Sequence, residues 1–205
     1  MEPATTTSQT RDHGIYLYWV PLGAGGTGFV RFNGRVYESL ASRRERRSPL
    51  DLYHTALEVL LPEGRYIVET MWPCPDADGA TTRGVGVQGP VFSRWLSFTR
   101  VFRYEVRCWR DGDLPDANQA VGGGRLVSDD PDLARRVLSL TMSVPAHTWG
   151  RRLDGSTEMW NSNSVIAWLL AKTGHDMTEV QPPEGGRAPG WDVGVALASP
   201  VGRRG

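Results

Sequence analysis

Two short stretches hold the residues whose types and spacing could do chemistry. In MWNSNSVIAWLL, Met159 to Leu170, four small polar residues (Asn161, Ser162, Asn163 and Ser164) stand between a tryptophan and an apolar run. One good cap is enough to start a helix, so the run is more than the helix alone requires. On a helix, Val165, Ile166, Leu169 and Leu170 share a face with Ser162, at spacings of three and four. A hydroxyl in that first turn lies among unpaired backbone N–H groups at the positive end of the helix dipole. A nucleophile placed there gains an oxyanion hole from the same amides. The second stretch is LYHTALEV, where His54 opens an apolar strand. An imidazole is the side chain best suited to take a proton near neutral pH. Both residues also have ordinary roles, as a cap and as a structural histidine bonded to backbone.

A serine hydroxyl is weakly acidic and must lose its proton as it attacks. It therefore needs a well-aligned histidine, usually steadied by a third polar group. Glu69 and Thr70, on the strand after His54, are the candidates, and strand parity does not choose between them. Asn161 and Asn163 would shape the rim or orient His54. Trp160 packs either under a substrate or in the core.

The elements that must position these residues are legible from pattern. IYLYWVPL, Ile15 to Leu22, is β-branched and aromatic and reads as a buried strand. LYHTALEVLLPEGRYIVETMW places two apolar runs around Pro62-Glu63-Gly64, which predicts a hairpin with strands near 53–61 and 65–72. VFSRWLSFTRVFRYEVRCW predicts one or two further strands ending around Trp109, with period-two alternation from Phe102 to Cys108. Cys108 falls on the apolar side as inert core. DDPDLARRVLSLTM has acidic caps and Pro131 in its first turn, so a helix follows. The second helix, beginning at the polar run, ends at Thr173-Gly174. The Pro/Gly-rich segment after it, ending GWDVGVALASP, predicts a loop and then an edge strand. In GGRAPGW, an exposed tryptophan bordering a cleft and a loop packed on the core are equally compatible, and neither makes it part of the site. The order of elements is that of an α+β domain, an antiparallel sheet packed against two or more helices. Residues 1–14 read as a disordered tail, 15–200 as a single domain and 201–205 as a second tail.

Bulk properties narrow the function. The 205 residues are 40% hydrophobic and 22% charged with zero formal net charge, so no global field recruits nucleic acid or an anionic surface. Residues 41–49 carry four arginines without interleaved aromatics, which reads as a solvated loop or helix end rather than a nucleic-acid patch. GAGGTG is followed by strand-like FVRF, with an Asn33-Gly34 hairpin signal, not by a phosphate-binding helix start. Cys74 and Cys108 are 34 residues apart and the four histidines are scattered, so neither a metal nor a cofactor is expected. Cys74, between prolines in WPCP, has no base nearby in sequence to activate it. The opening residues lack a signal peptide's apolar core, and no run approaches the roughly 20 apolar residues of a membrane span. A cytoplasmic protein is expected.

Taken together, a histidine opening a strand hairpin, further strands, and a polar-capped helix resemble the circularly permuted papain-like fold, including permuted NlpC-type hydrolases, lecithin:retinol acyltransferase relatives and PPPDE isopeptidases. Asn161-Ser162-Asn163-Ser164-Val165 is similar to the PPPDE Asn-Cys-Asn signature at every position but the nucleophile, where this chain has Ser162. His54 in LYHTALEV is similar to the family's strand histidine. The resemblance covers roughly residues 15–175. It implies a hydrolase of amidase, peptidase or acyltransferase type, with Ser162 and His54 acting on an amide, isopeptide or ester in a small-molecule, peptide or lipid substrate. The alternative it leaves open is a catalytically inactive binding module that retains the cleft.

Overall fold

The computed structural model describes residues 13–22, 50–73, 84–114 and 116–199. The glycine-rich loop and Asn33-Gly34 hairpin, the arginines of 41–49, Cys74 and the tail 201–205 lie outside the described residues, as does almost all of the tail 1–14.

The predicted α+β architecture is present: among the described residues an antiparallel sheet carries three helices. Strands β1 (Gly14–Pro21), β2 (Asp51–Leu61), β3 (Gly64–Met71), β4 (Val85–Pro90), β5 (Arg103–Arg110) and β6 (Gly124–Ser128) lie in the order β4-β5-β3-β2-β1-β6. A two-residue strand, β7 (Gly186–Arg187), pairs parallel with the start of β2. The helices among the described residues are α1 (Pro131–Leu140), α2 (Ser162–Lys172) and α3 (Trp191–Ala198). Pro62-Glu63 makes the β2–β3 turn as predicted, and Asp130 caps α1 by accepting from the amides of Asp132 and Leu133.

Side chains alternate along each strand, so the two sheet faces have separate contents. On one face Ile15, Leu17, Trp19, Leu57, Val59, Val68 and Val106 join the main core with the helices. The other face gathers Tyr16, Tyr18, Val20, Ala56 and Ile67 against Leu114 and Ala117. Helix α2 is central, with every residue from Ser162 to Leu170 buried. Full burial of a Val, Ile or Leu side chain contributes about 1.5–3 kcal/mol, so this helix anchors the layer.

Two predicted elements differ. The run after Gly190 is helix α3, not an edge strand. Gly194 explains the choice: a β-carbon there would lie 2.1 Å from the Ser164 carbonyl oxygen, so the glycine lets α3 cross directly on α2. Trp191 is buried, with its ring centroid 4.9 Å from that of Trp19. The segment 91–102, read as strand from its aromatic content, is a loop containing two 3₁₀ turns, and the strand begins only at Arg103. Strand β4, VGVQGP, precedes it and has too many glycines and a proline to announce itself.

Candidate functional site at the start of helix α2

The polar run before α2 is largely consumed by architecture. The Asn161 side chain accepts from the amides of Asn163 (2.9 Å) and Ser164 (3.3 Å), while Ser164 Oγ accepts from the Asn161 amide at 3.1 Å, a reciprocal capping box. Ser164 Oγ also donates to the Gly190 carbonyl at 2.7 Å. Asn161 Nδ2 and Asn163 Nδ2 both donate to the Pro189 carbonyl, at 2.8 and 2.9 Å. The GGRAPGW segment is therefore the socket into which this turn fits. Its tryptophan is interior rather than exposed. Gly190 sits at φ +84°, and a β-carbon there would come within 2.6 Å of Asn161 Oδ1, so glycine is required. Glu158 ties the socket down by accepting from the Gly190 amide and pairing with Arg187.

Asn163 performs the long-range connection. Its Nδ2 donates to the Tyr53 carbonyl at 3.0 Å, and its Oδ1 accepts from Thr55 Oγ1 at 3.0 Å, across 110 and 108 residues of chain. These are the two residues flanking His54. The reason is visible in the sheet register: β2 and β3 pair only as far as Leu57–Val68 and then part. β7 takes the vacated edge of β2 at Asp51 and Leu52, and the first turn of α2 takes it at Tyr53. The α2 terminus is thus a wedge in the opening of the hairpin, bonded to β2 through Asn163, and the helix it begins lies against both β2 and β3.

Within that wedge Ser162 is the residue left over. It is 8% exposed, and neither its hydroxyl nor its amide has a hydrogen-bond partner among the described residues. The capping box satisfies the next two amides and leaves the first free, which is the arrangement an incoming oxygen needs.

His54 projects differently from its neighbours. Thr55 reaches the helix face, so alternation turns His54 to the opposite face with Ala56 and Glu58. It makes no hydrogen bond to Ser162. Burial lowers its pKa from the ordinary 6.5, against an opposing pull from Asp116, so the ring is neutral at pH 7. The structure joins the two segments through Asn163, which bonds both neighbours of His54, and leaves the Ser162 and His54 side chains on opposite faces of β2.

The two candidate orienting residues separate cleanly. Thr70 pairs with Val106 and lies on the helix face, its hydroxyl buried and unpartnered. Glu69 pairs with Arg107 and shares the face of His54. Its carboxyl is pushed up to about 7 by burial, partly countered by Arg107, and its Oε1 has no partner. Arg107 spends its guanidinium on Glu105, with Nε at 2.9 Å and Nη2 at 2.5 Å from one carboxylate oxygen. Asp116 is the charge that acts on both His54 and Glu69. It stands in a segment, DGDLPDANQ, whose sequence announces only turns, and no periodicity marks it. Trp160 is fully buried and donates from Nε1 to Tyr104 Oη at 3.2 Å, so its role is core. Cys108 is likewise core, its thiol pushed up to about 11 by burial. Among the described residues no group of three His, Cys, Asp or Glu is arranged to hold a metal ion, and no helix is long and apolar enough to cross a membrane.

No family model, curated protein or solved structure matches the chain.

Proposed function

We propose that the chain is a hydrolase or acyltransferase of the papain-like kind, with the wedge at the start of α2 as its site. The observation that carries this reading is the unpartnered hydroxyl and amide of Ser162, held in a turn clamped to both residues beside His54. In the reaction Ser162 Oγ attacks the acyl carbon and passes its proton to the neutral His54 imidazole. The Ser162 amide receives the negative charge that develops on the carbonyl oxygen. His54 returns the proton to the leaving amine or alcohol, and water or a second acceptor releases the acyl group from Ser162. Asp116 steadies the imidazolium that forms. His54 lies on the opposite face of β2 from Ser162, so this proton transfer requires the start of β2 to turn toward α2 when substrate binds, and the His54→Ala variant tests that movement.

A second reading is favoured by one observation, the projection of His54 to the opposite face from Thr55. In that reading Ser162 binds an acyl or carboxylate oxygen without chemistry. Turnover of p-nitrophenyl esters and labelling by a fluorophosphonate probe decide between them. Catalysis predicts Ser162 as the labelled residue, loss of turnover in both Ser162→Ala and His54→Ala, and retained or increased turnover in Ser162→Cys. Turnover that survives both alanine substitutions overturns the site. An unlabelled Ser162 in a folded, inactive protein leaves the binding reading.

A further inference from the structure

The loop between β4 and β5 displays what most proteins hide. Trp95 is 89% exposed, Phe98 77%, Val101 73% and Phe92 63%, all within ten residues. Scattered single apolar side chains are normal at a surface, but four large ones on one short loop are not. Interleaved with them in sequence are Arg94, Arg100 and Arg103, and no Asp or Glu occurs from Val91 to Tyr104. In a chain of zero net charge this is a local excess of three positive charges.

The display is built rather than loose. Val91, fully buried, donates its amide to the Phe102 carbonyl at 2.8 Å and closes the loop at its base. The amide of Phe92 donates to the Trp149 carbonyl at 2.9 Å, and the Trp149 amide to the Pro90 carbonyl at 2.8 Å. Phe92 itself is held at φ +59°, a conformation a bulky residue adopts only when its surroundings impose it. Inside the loop, Ser93 Oγ accepts from the Trp95 amide at 3.3 Å, Ser97 Oγ donates to the Arg94 carbonyl at 2.7 Å, and Arg103 Nε donates to the Ser97 carbonyl. A preformed loop with closed ends loses little conformational freedom on docking.

We propose that the loop 91–102 is a docking element for an anionic phospholipid surface. Tryptophan enters the headgroup–acyl boundary with its apolar body buried and its N–H edge wet, and phenylalanine adds a wholly apolar ring. Arg94 and Arg103 beside them remain at the phosphate level and supply the preference for negative lipid. Apolar insertion and charge attraction together give the two signals that stable surface association requires. This surface is independent of the Ser162 site, and the protein docks whether or not it turns over an ester.

The test is co-sedimentation of the full chain with phosphatidylcholine vesicles with and without 30 mol% phosphatidylserine, a composition set at about the anionic content that gives a cytoplasmic leaflet its surface potential. Binding is expected to the anionic vesicles and to weaken with added salt. Trp95→Ala/Phe98→Ala is expected to lower partitioning at least about tenfold, with circular dichroism and melting unchanged because both side chains are outside the core. Arg94→Gln weakens binding to anionic vesicles alone. Absence of binding by the folded wild type overturns the proposal. So does binding that falls with salt yet ignores the aromatic substitutions. Self-association or capture of an acidic peptide that needs Trp95 and Phe98, in a protein that ignores vesicles, assigns the loop to a protein partner and also overturns it.

Discussion

Removing the Asn163 side chain should be the most damaging single change at the wedge, and its cost can be worked from the contacts. The side chain makes three hydrogen bonds: to the Tyr53 carbonyl, the Pro189 carbonyl and the Thr55 hydroxyl. In Asn163→Ala the Pro189 carbonyl keeps its bond from Asn161 Nδ2. The Tyr53 carbonyl loses Asn163 Nδ2, and the buried Thr55 hydroxyl loses its acceptor. Each orphaned buried group costs about 1–3 kcal/mol, so the total is about 4 kcal/mol. For a protein of this size that is a fall in Tm of roughly 10 °C. Thr55→Val removes one donor and keeps the shape, and should cost about 1 kcal/mol. Urea unfolding of the two single variants and the double variant gives the coupling, expected to be favourable by about 1 kcal/mol. An Asn163→Ala protein within about 0.5 kcal/mol of wild type, or additive effects of the two changes, would refute the idea that this side chain seals the hairpin opening.

Four further outcomes are expected. The carboxyl of Glu69 binds its proton more tightly in the folded chain, at about 7 against 4.5. Stability from this group is full below about pH 4.5, declines as pH rises to about 7 and is flat above, a span of about 3 kcal/mol. Urea midpoints of wild type and Glu69→Gln across that range should diverge accordingly, and parallel curves contradict it. Gly194→Ala should destabilise by about 1–3 kcal/mol because the added methyl meets the Ser164 carbonyl, and an unchanged melting temperature contradicts the crossing of α3 on α2. Cys108 should resist iodoacetamide at pH 8 until the chain is unfolded, since burial keeps its thiol protonated; rapid labelling of the native protein contradicts this. If esters are turned over, kcat/KM should fall on the acid side with a midpoint below 6.5, reporting the depressed imidazole, and a midpoint above 6.5 removes His54 as the base.

Local chemistry was legible wherever one segment decided the outcome. Pro62-Glu63-Gly64 makes the hairpin turn, Asp130 with Pro131 starts α1, and Thr173-Gly174 ends α2, each from its own residues. Tertiary packing decided the rest. VFSRWLSFTRVF has strand composition, but closure between Val91 and Phe102 turns it into a loop. WDVGVALA becomes a helix because Gly194 permits close approach to α2. The Arg107 side of β5 alternates as a solvated strand would, yet Arg107 is 1% exposed and paired with Glu105. At the site, the sequence singled out the four polar residues and His54. That Asn163, not Ser162, would carry the long-range bonds depends on where β3 parts from β2, which no local pattern encodes. Asp116 acts on His54 purely through space. Glu69 and Thr70 could be told apart only once the β3–β5 register was known.

The socket formed by residues 186–194 has a consequence for biosynthesis. Of these three the ribosome delivers β2 first, α2 more than a hundred residues later, and the socket after α2. Until residue 194 has emerged, Asn161, Asn163 and Ser164 lack the Pro189 and Gly190 carbonyls that fix them. The nascent chain therefore carries an unseated, mostly apolar helix until that segment has left the ribosome.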